Sequence, residues 1–391
     1  MRRVSVIGGG HTRFMANSPN TGLELLAEAS MDAIINSKIS PQDIQAVYCG
    51  NVLGDFSEGQ GMIQSYLANE IGCNYVPATK FEGACATGTI AVQNAAMWVA
   101  SGTYDIVLVC GVEKATAMGT PLATRTFAMF SDSRFEYPAG FTFPAVFAML
   151  AHLYASHYHI PLEKLKEQMA HVSVQSHHYG AKNPHAQFQK EITVEKVLGG
   201  PIVTTPLQLL DCCPFSDGAA AVILASEEVA KKLTDKPVYI AGSGQASSGH
   251  LASQYQYLPR IRAREIAVKQ AYKMAGVGPE DIDVCELHDC FSIASIIAAE
   301  SLGFAEFGTA GILWEKGETK IGGKTPINIS GGLKAKGHPL GATGISQVYE
   351  ITRQLRGELM DQGRQVEGAK VGLVDTLGGD GIIVNLVLKR D

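Results

Sequence analysis

The chain has 391 residues, 46% hydrophobic and 18% charged, with 32 basic against 38 acidic side chains and a net charge of −6. That balance excludes a disordered chain, and so mild a charge with no Lys/Arg-rich block excludes polyanion binding, nucleic acid included, as the main task. Eight cysteines without a CxxC pair predict reduced thiols in a cytoplasmic protein; no apolar run nears the roughly 18 residues of a membrane span, and MRRVSVIGGGHTRF lacks the long apolar core of a signal peptide.

In chain order, Val4 to Ile7 reads as a buried strand broken by Gly8-Gly9-Gly10. TGLELLAEASMDAIINS follows as an amphipathic helix. DIQAVYCGN is a strand, SEGQGMIQSYLANEIG a helix, and a further helix runs from about Ala86 to Ser101. TYDIVLVCGVE is a strongly apolar strand. Alternating strands and helices predict an α/β fold with a largely parallel, helix-covered sheet. Residues 120–210 carry seven of the eleven histidines and no such rhythm, and are expected to be an inserted helical and loop region. SDGAAAVILAS then reads as an edge strand, and VYIAGSG opens a second series.

The second series echoes the first. DIDVCELHD (281–289) parallels DIQAVYCGN (43–51). Ala86-Thr87-Gly88 and Ala342-Thr343-Gly344 each open a helix, and VGLVDTLGGDGIIVNLVL closes its half much as DGAAAVILA closes the other. Two diverged copies of one α/β unit follow: residues 1–119 with 211–232 form one half, 233–391 the other, and 120–210 the insert.

Three stretches carry reactive side chains. Cys85 lies in GACATG, where small neighbours permit a sharp turn and a close substrate. At a helix N-terminus its thiol is expected to have a lowered pKa, and the free N–H groups there suit an oxyanion. The bland alternative, a small residue in a Gly/Ala-rich packing region, weighs about as much on local pattern alone. His338, in KAKGHPLGATG, precedes the paired helix, and pseudo-twofold symmetry would carry it toward Cys85 as the base for a thiol. In ELHDCF, strand alternation sends Cys285 and His288 to opposite faces. That counts against a zinc site from Cys285, His288 and Cys290. His288 and Cys290, in contrast, would reach one cavity at the strand's C-terminal end.

Together, Cys85 in GACATG, His288 and Cys290 in HDCF, His338 in GHPLGATG and the glycine-rich TLGGDG resemble the thiolase superfamily over nearly the whole chain. HDCF is most similar to the sterol-carrier-protein type, as is DCCPFSDGAAAVIL (211–224). The resemblance implies a layered αβαβα fold of two pseudo-symmetric halves of mixed sheet with helices between and around them. It also implies acyl-CoA C-acyltransferase activity: thiolytic cleavage of 3-oxoacyl-CoA, or the reverse Claisen condensation with acetyl-CoA. Cys85 would carry the acyl group as a thioester, His338 would deprotonate it, and His288 with His338 would hold the thioester oxygen. Cys290 would be the second acid/base. Backbone N–H groups of Cys85, Gly378 and Gly379 would form the other oxyanion hole. Many thiolases place the second cysteine in a C-terminal CxG motif; here Asp375 and Thr376 stand in that turn, and Cys290 fills the vacancy from the other loop. Coenzyme A enters as substrate, with no permanently bound cofactor and no metal. A homodimer or homotetramer is implied, with a small zinc-ribbon/OB-fold protein as a further partner.

Two other readings compete: a decarboxylating, ketoacyl-synthase-like condensing enzyme, which needs no second thiol, and a thiolase-like subunit active only in complex. VIGGGHTRF lacks the third glycine of a dinucleotide loop. Cys49, Cys73, Cys110, Cys212 and Cys213 read as core, and the insert histidines as packed or solvated. Phe127, Phe130, Phe141 and Phe143 would line the acyl pocket or merely pack. Lys182, Lys334 and Lys336 are candidates for the CoA phosphates, none of them compelling.

Overall fold

A computed structural model describes residues 1–249, 254–379 and 381–391. The apolar runs form strands β1 (Val4–His11), β2 (Val47–Gly50), β3 (Ala78–Phe81), β4 (Ile106–Lys114), β5 (Ile202–Thr204), β6 (Leu207–Gln208), β7 (Asp217–Ser226), β8 (Val238–Ser247), β9 (Val284–Glu286), β10 (Val371–Gly378) and β11 (Ile382–Arg390). Among the described residues, β5 and β6 pair separately, and the other nine join in the order β3-β2-β4-β7-β1-β8-β11-β10-β9.

The order is nearly a palindrome about the short β1–β8 pairing. On one side β3, β2 and β4 are parallel and β7 and β1 antiparallel. On the other, β9 and β10 are parallel and β11 and β8 antiparallel. The counterpart of β3 is reduced to one parallel bridge, Cys285 to Ile327. DIDVCELHD and DIQAVYCGN therefore hold equivalent places, as the repeat predicts. The sheet is mixed, as the family resemblance implies, rather than largely parallel as the alternation alone suggests, because the last strand of each half, β7 or β11, lies antiparallel to both its neighbours.

Helices stand on both faces. Gly22–Asn36 covers β1, β7 and β4 from outside, and Arg262–Ala275 covers β8 and β11. Between the halves lie Thr87–Ser101 and Leu340–Arg356, which pack on each other and on strands of both. Val107 and Val109 turn to this central layer, while Leu108 and Cys110 turn outward under the first helix. With both faces buried, β4 needs no polar alternation, hence its continuous apolar run.

The same burial corrects two expectations. SDGAAAVILAS is no edge strand: β7 lies between β4 and β1, and all ten of its residues are buried. Nor is β1 broken by its glycines, since it continues to His11. A Cβ on Gly10 would lie 2.1 Å from Ala29 O, and one on Gly9 would lie 2.3 Å from the Tyr349 ring. These glycines thin the strand so that helices can approach on both faces.

One tight glycine contact joins the halves. A Cβ on Gly111 would sit 2.0 Å from the carbonyl oxygen of Gly341, at the start of the second central helix. Gly111→Ala is expected to destabilise the fold by roughly 1–3 kcal/mol through overpacking, read as a lower midpoint in chemical denaturation.

Candidate active site

Cys85 lies in one turn of 3-10 helix, Ala84–Ala86, between β3 and the helix Thr87–Ser101. Ala84 has φ +49°, a left-handed conformation that costs an alanine of order 1 kcal/mol or more and persists where neighbours fix it. The Thr87 hydroxyl accepts from Gly83 N–H at 2.8 Å and donates to Ala84 O at 2.6 Å. The Glu82 carboxylate accepts Ala84 N–H at 2.6 Å. The turn sets the sulfur where the backbone amides of Gly379 and of Cys85 itself favour its charged form. Gly378 brings the end of β10 against this turn, for a Cβ there would stand 2.2 Å from Gly83 O.

His338 arrives from the other half. Its amide donates to Ser216 Oγ at 2.9 Å, and its Nδ1 lies 2.8 Å from Thr343 Oγ1. The Thr343 hydroxyl spends its hydrogen on Pro339 O at 2.9 Å. Nδ1 therefore carries the ring proton, and Nε2 is left a bare acceptor. That Nε2 is buried without a hydrogen-bond partner.

The HDCF loop follows β9 and is clamped from several sides. Asn328 accepts Leu287 N–H at 2.8 Å and returns a bond to Leu287 O at 3.2 Å. Asp289 accepts Leu333 N–H at 2.7 Å. His288 N–H reaches Asp375 Oδ2 at 3.4 Å, and Asp375 is held by Arg264 and Asn385, each at 3.0 Å. The His288 and His338 rings meet edge to face, 5.1 Å apart.

The result is one cluster. The sulfur of Cys85 and one ligand nitrogen each of His288 and His338 lie within 4.8 Å of one another. Cys290 and Gly379 line the same cavity of about 360 Å³. Its walls are aromatic: Phe127 stacks on Phe215 at 5.2 Å and Phe147 on Phe291 at 4.6 Å.

The sequence agrees with the family that this geometry points to. Residues 4–228 match the model of the thiolase N-terminal domain, and residues 244–385 that of the thiolase C-terminal domain-like family. The chain belongs to the thiolase family. It is 44% identical over 381 residues to the acetyl-CoA acetyltransferase of Methanothermobacter thermautotrophicus, covering 97% of both chains. It is 34% identical to human sterol carrier protein 2, covering 100% of this chain and 72% of that one. Among solved structures it resembles the Ltp2-ChsH2(DUF35) aldolase, with a TM-score of 0.83, 27% identity, and coverage of 100% and 98%. The thiolase is thus an acyltransferase acting on acyl-CoA thioesters.

Electrostatics in this thiolase departs from one expectation. Burial pushes the Cys85 thiol up to about 12, against the pull of the two amides. The helix terminus does not yield a resting thiolate, because loss of hydration outweighs it. Burial also holds His338 down to about 3 and His288 well below the usual imidazole range, and raises Cys290 well above the usual thiol range. Burial disfavours charge on all four side chains.

Other candidates separate. Cys285 is wholly buried in the core, away from the cavity. Phe127 and Phe143 line the cavity; Phe130 and Phe141 do not. Lys334 and Lys336 are only 1% and 2% exposed and line no part of it, so they are not placed for phosphates. Cys212 and Cys213 are not core but line the cavity, and Cys213 N–H bonds Cys290 O at 2.9 Å. Their adjacency in a loop gave no sign of it.

Glu113 was also missed, as the last residue of an apolar strand. It is fully buried and accepts from Asn51 and from the amides of Val52, Leu53 and Gly341, at 2.8–3.2 Å. It bonds the first turn of the second central helix to the half that holds Cys85. Burial pushes its carboxyl up to about 8 from 4.5 in spite of those donors. The folded state then binds the proton more tightly than the unfolded one, so this contribution is full below pH 4.5 and lost as pH rises through about 8. In Glu113→Gln, denaturation across that window is expected to show lower stability but a shallower decline toward alkaline pH than in the parent.

Proposed function

We propose that this thiolase exchanges acyl groups between CoA and the acetyl unit of acetyl-CoA, cleaving or forming 3-oxoacyl-CoA through a thioester on Cys85. The observation that carries the reading is the bare Nε2 of His338, in a cluster that places a ring nitrogen within 4.8 Å of the Cys85 sulfur.

In this reading the sulfur attacks the substrate carbonyl as its proton passes to His338 Nε2. A resting ion pair is not required. Transfer becomes favourable as negative charge moves to the carbonyl oxygen, where the Cys85 and Gly379 amides receive it, with Gly378 holding β10 close enough. Each such donor is worth about 3 kcal/mol in comparable sites. In the second half-reaction His288 and His338 hold the thioester oxygen of acetyl-CoA while Cys290 takes the α-proton. Cys290 does this as a thiolate: the CoA sulfur leaving in the first half-reaction takes the Cys290 proton while His338 keeps that of Cys85, and a thiol with a raised pKa gives a thiolate basic enough for the α-carbon. CoA is a substrate and no cofactor is retained.

The chain would act in the cytoplasm as a dimer or tetramer; its eight cysteines are free, and no helix among the described residues is long and apolar enough to cross a membrane. The likeness to the Ltp2-ChsH2(DUF35) aldolase supports a small zinc-ribbon/OB-fold partner. Such a partner would copurify with the chain and raise its turnover.

Cys85→Ala is expected to abolish turnover, while Cys285→Ala leaves it nearly intact; equal losses overturn the assignment. Intact-mass spectrometry after incubation with a panel of acyl-CoAs should show one acyl adduct, absent in Cys85→Ala, whose mass reports the preferred group. Cys290→Ser is expected to keep the adduct and lose condensation. Undiminished condensation would instead favour the decarboxylating mechanism.

A further inference from the structure

We propose that Cys85, His288 and His338 also form a binding site for zinc or a similarly soft divalent cation, and that filling it switches the thiolase off. The inhibition rests on the reading of Cys85 as acyl carrier; the metal site itself rests on the donor geometry alone.

One thiolate and two imidazoles are a zinc ligand set with an open fourth position. The three donor atoms already lie within 4.8 Å of one another. Tetrahedral bonds of about 2.3 Å to sulfur and 2.1 Å to nitrogen bring such atoms to about 3.6 Å apart. Side-chain rotation of about 1 Å covers the difference without moving a strand.

For His338 the outer shell is also in place. A ligating imidazole typically donates its other N–H to a fixed acceptor, which sets its tautomer. His338 Nδ1 does this to Thr343 Oγ1, and Thr343 is locked in turn on Pro339 O. His338 is 5% exposed, and its Nε2 has no hydrogen-bond partner in the protein. An orphaned acceptor in a buried cluster is costly, and a cation would satisfy it. His288 is also buried and leaves Nδ1 without a partner. No other group of three histidine, cysteine or acidic ligands meets this geometry among the described residues. His177 and His178 are instead engaged by Lys190 O and by Glu191.

Binding balances simply. The Cys85 S–H bond breaks, its proton leaves to buffer, a sulfur–metal bond forms, and each histidine gives a lone pair from a neutral ring. The fourth position faces the cavity, where water completes it. With the sulfur and His338 Nε2 both engaged, no nucleophile is left for an acyl group.

The test uses the full chain kept reduced with a phosphine, titrated with Co²⁺ and then Zn²⁺. Expected are one site per chain, a sulfur-to-cobalt charge-transfer band with the intense visible bands of tetrahedral cobalt, and about one proton released per metal. Cys85→Ala and His338→Ala should each weaken binding by more than the 10–100-fold that loss of an outer-shell partner costs. Cys73→Ala, remote from the cavity, should bind as the parent does. Zinc should block acyl-adduct formation, and a chelator should restore it. Affinity unchanged in both ligand variants, or cobalt bound without the charge-transfer band, overturns the site. Metal binding as described with no acyl adduct on Cys85 would leave the site standing and sink the acyl-carrier reading. An adduct on Cys85 with metal affinity indifferent to Cys85 and His338 would do the reverse.

Discussion

The active site depends on one close approach between the two halves. The carbonyl of Gly341, in the first turn of Leu340–Arg356, lies against Gly50, Gly88 and Gly111, and any Cβ on those three would come within 3 Å of it. On the amide side of the same residue, Glu113 accepts Gly341 N–H at 3.1 Å. A glycine-lined seat and a buried carboxylate thus pin the start of one central helix to the half that carries the Cys85 turn. His338 lies three residues before Gly341 and is delivered to Cys85 by this seat. The contact is steric and short-ranged, so it tolerates little drift. A cluster spanning a few ångströms needs that intolerance.

The second constraint is burial. The cavity is walled by stacked phenylalanines, and its cysteines and histidines are buried or nearly so. Burial among apolar walls opposes charge, which explains a thiol held up near 12 beside an imidazole held down near 3. It also strengthens each donor aimed at a developing oxyanion. In the proposed reaction, the helix terminus at Cys85 would therefore do more for developing charge than for charge at rest. The orphaned His338 Nε2 is the cost of this arrangement, and the same lone pair offers itself to a proton or to a cation.

Much of this was legible in the chain. GACATG, HDCF and GHPLGATG mark their chemistry by residue type and by small neighbours, and the internal echo supplies the argument for bringing them together. Strand and helix positions followed from apolar runs, because a strand buried on both faces cannot hide its composition. What failed was context. Gly8-Gly9-Gly10 reads as a break but is a strand thinned for two helices. SDGAAAVILAS reads as an edge but lies between β4 and β1. Cys212 and Cys213 read as core but face the cavity, since a loop has no periodicity to say where its side chains point.

The sequence by itself determined the class of fold and the family, and it singled out the cysteines and histidines that the structure gathers at one cavity, because these are written in local pattern and in short motifs. Only the tertiary structure decided which histidine nitrogen is free, that burial opposes charge on the thiol, and that Glu113 bonds the two halves. Tautomer, desolvation and cross-half hydrogen bonds depend on atoms hundreds of residues apart along the chain. No local pattern records a distance of that kind.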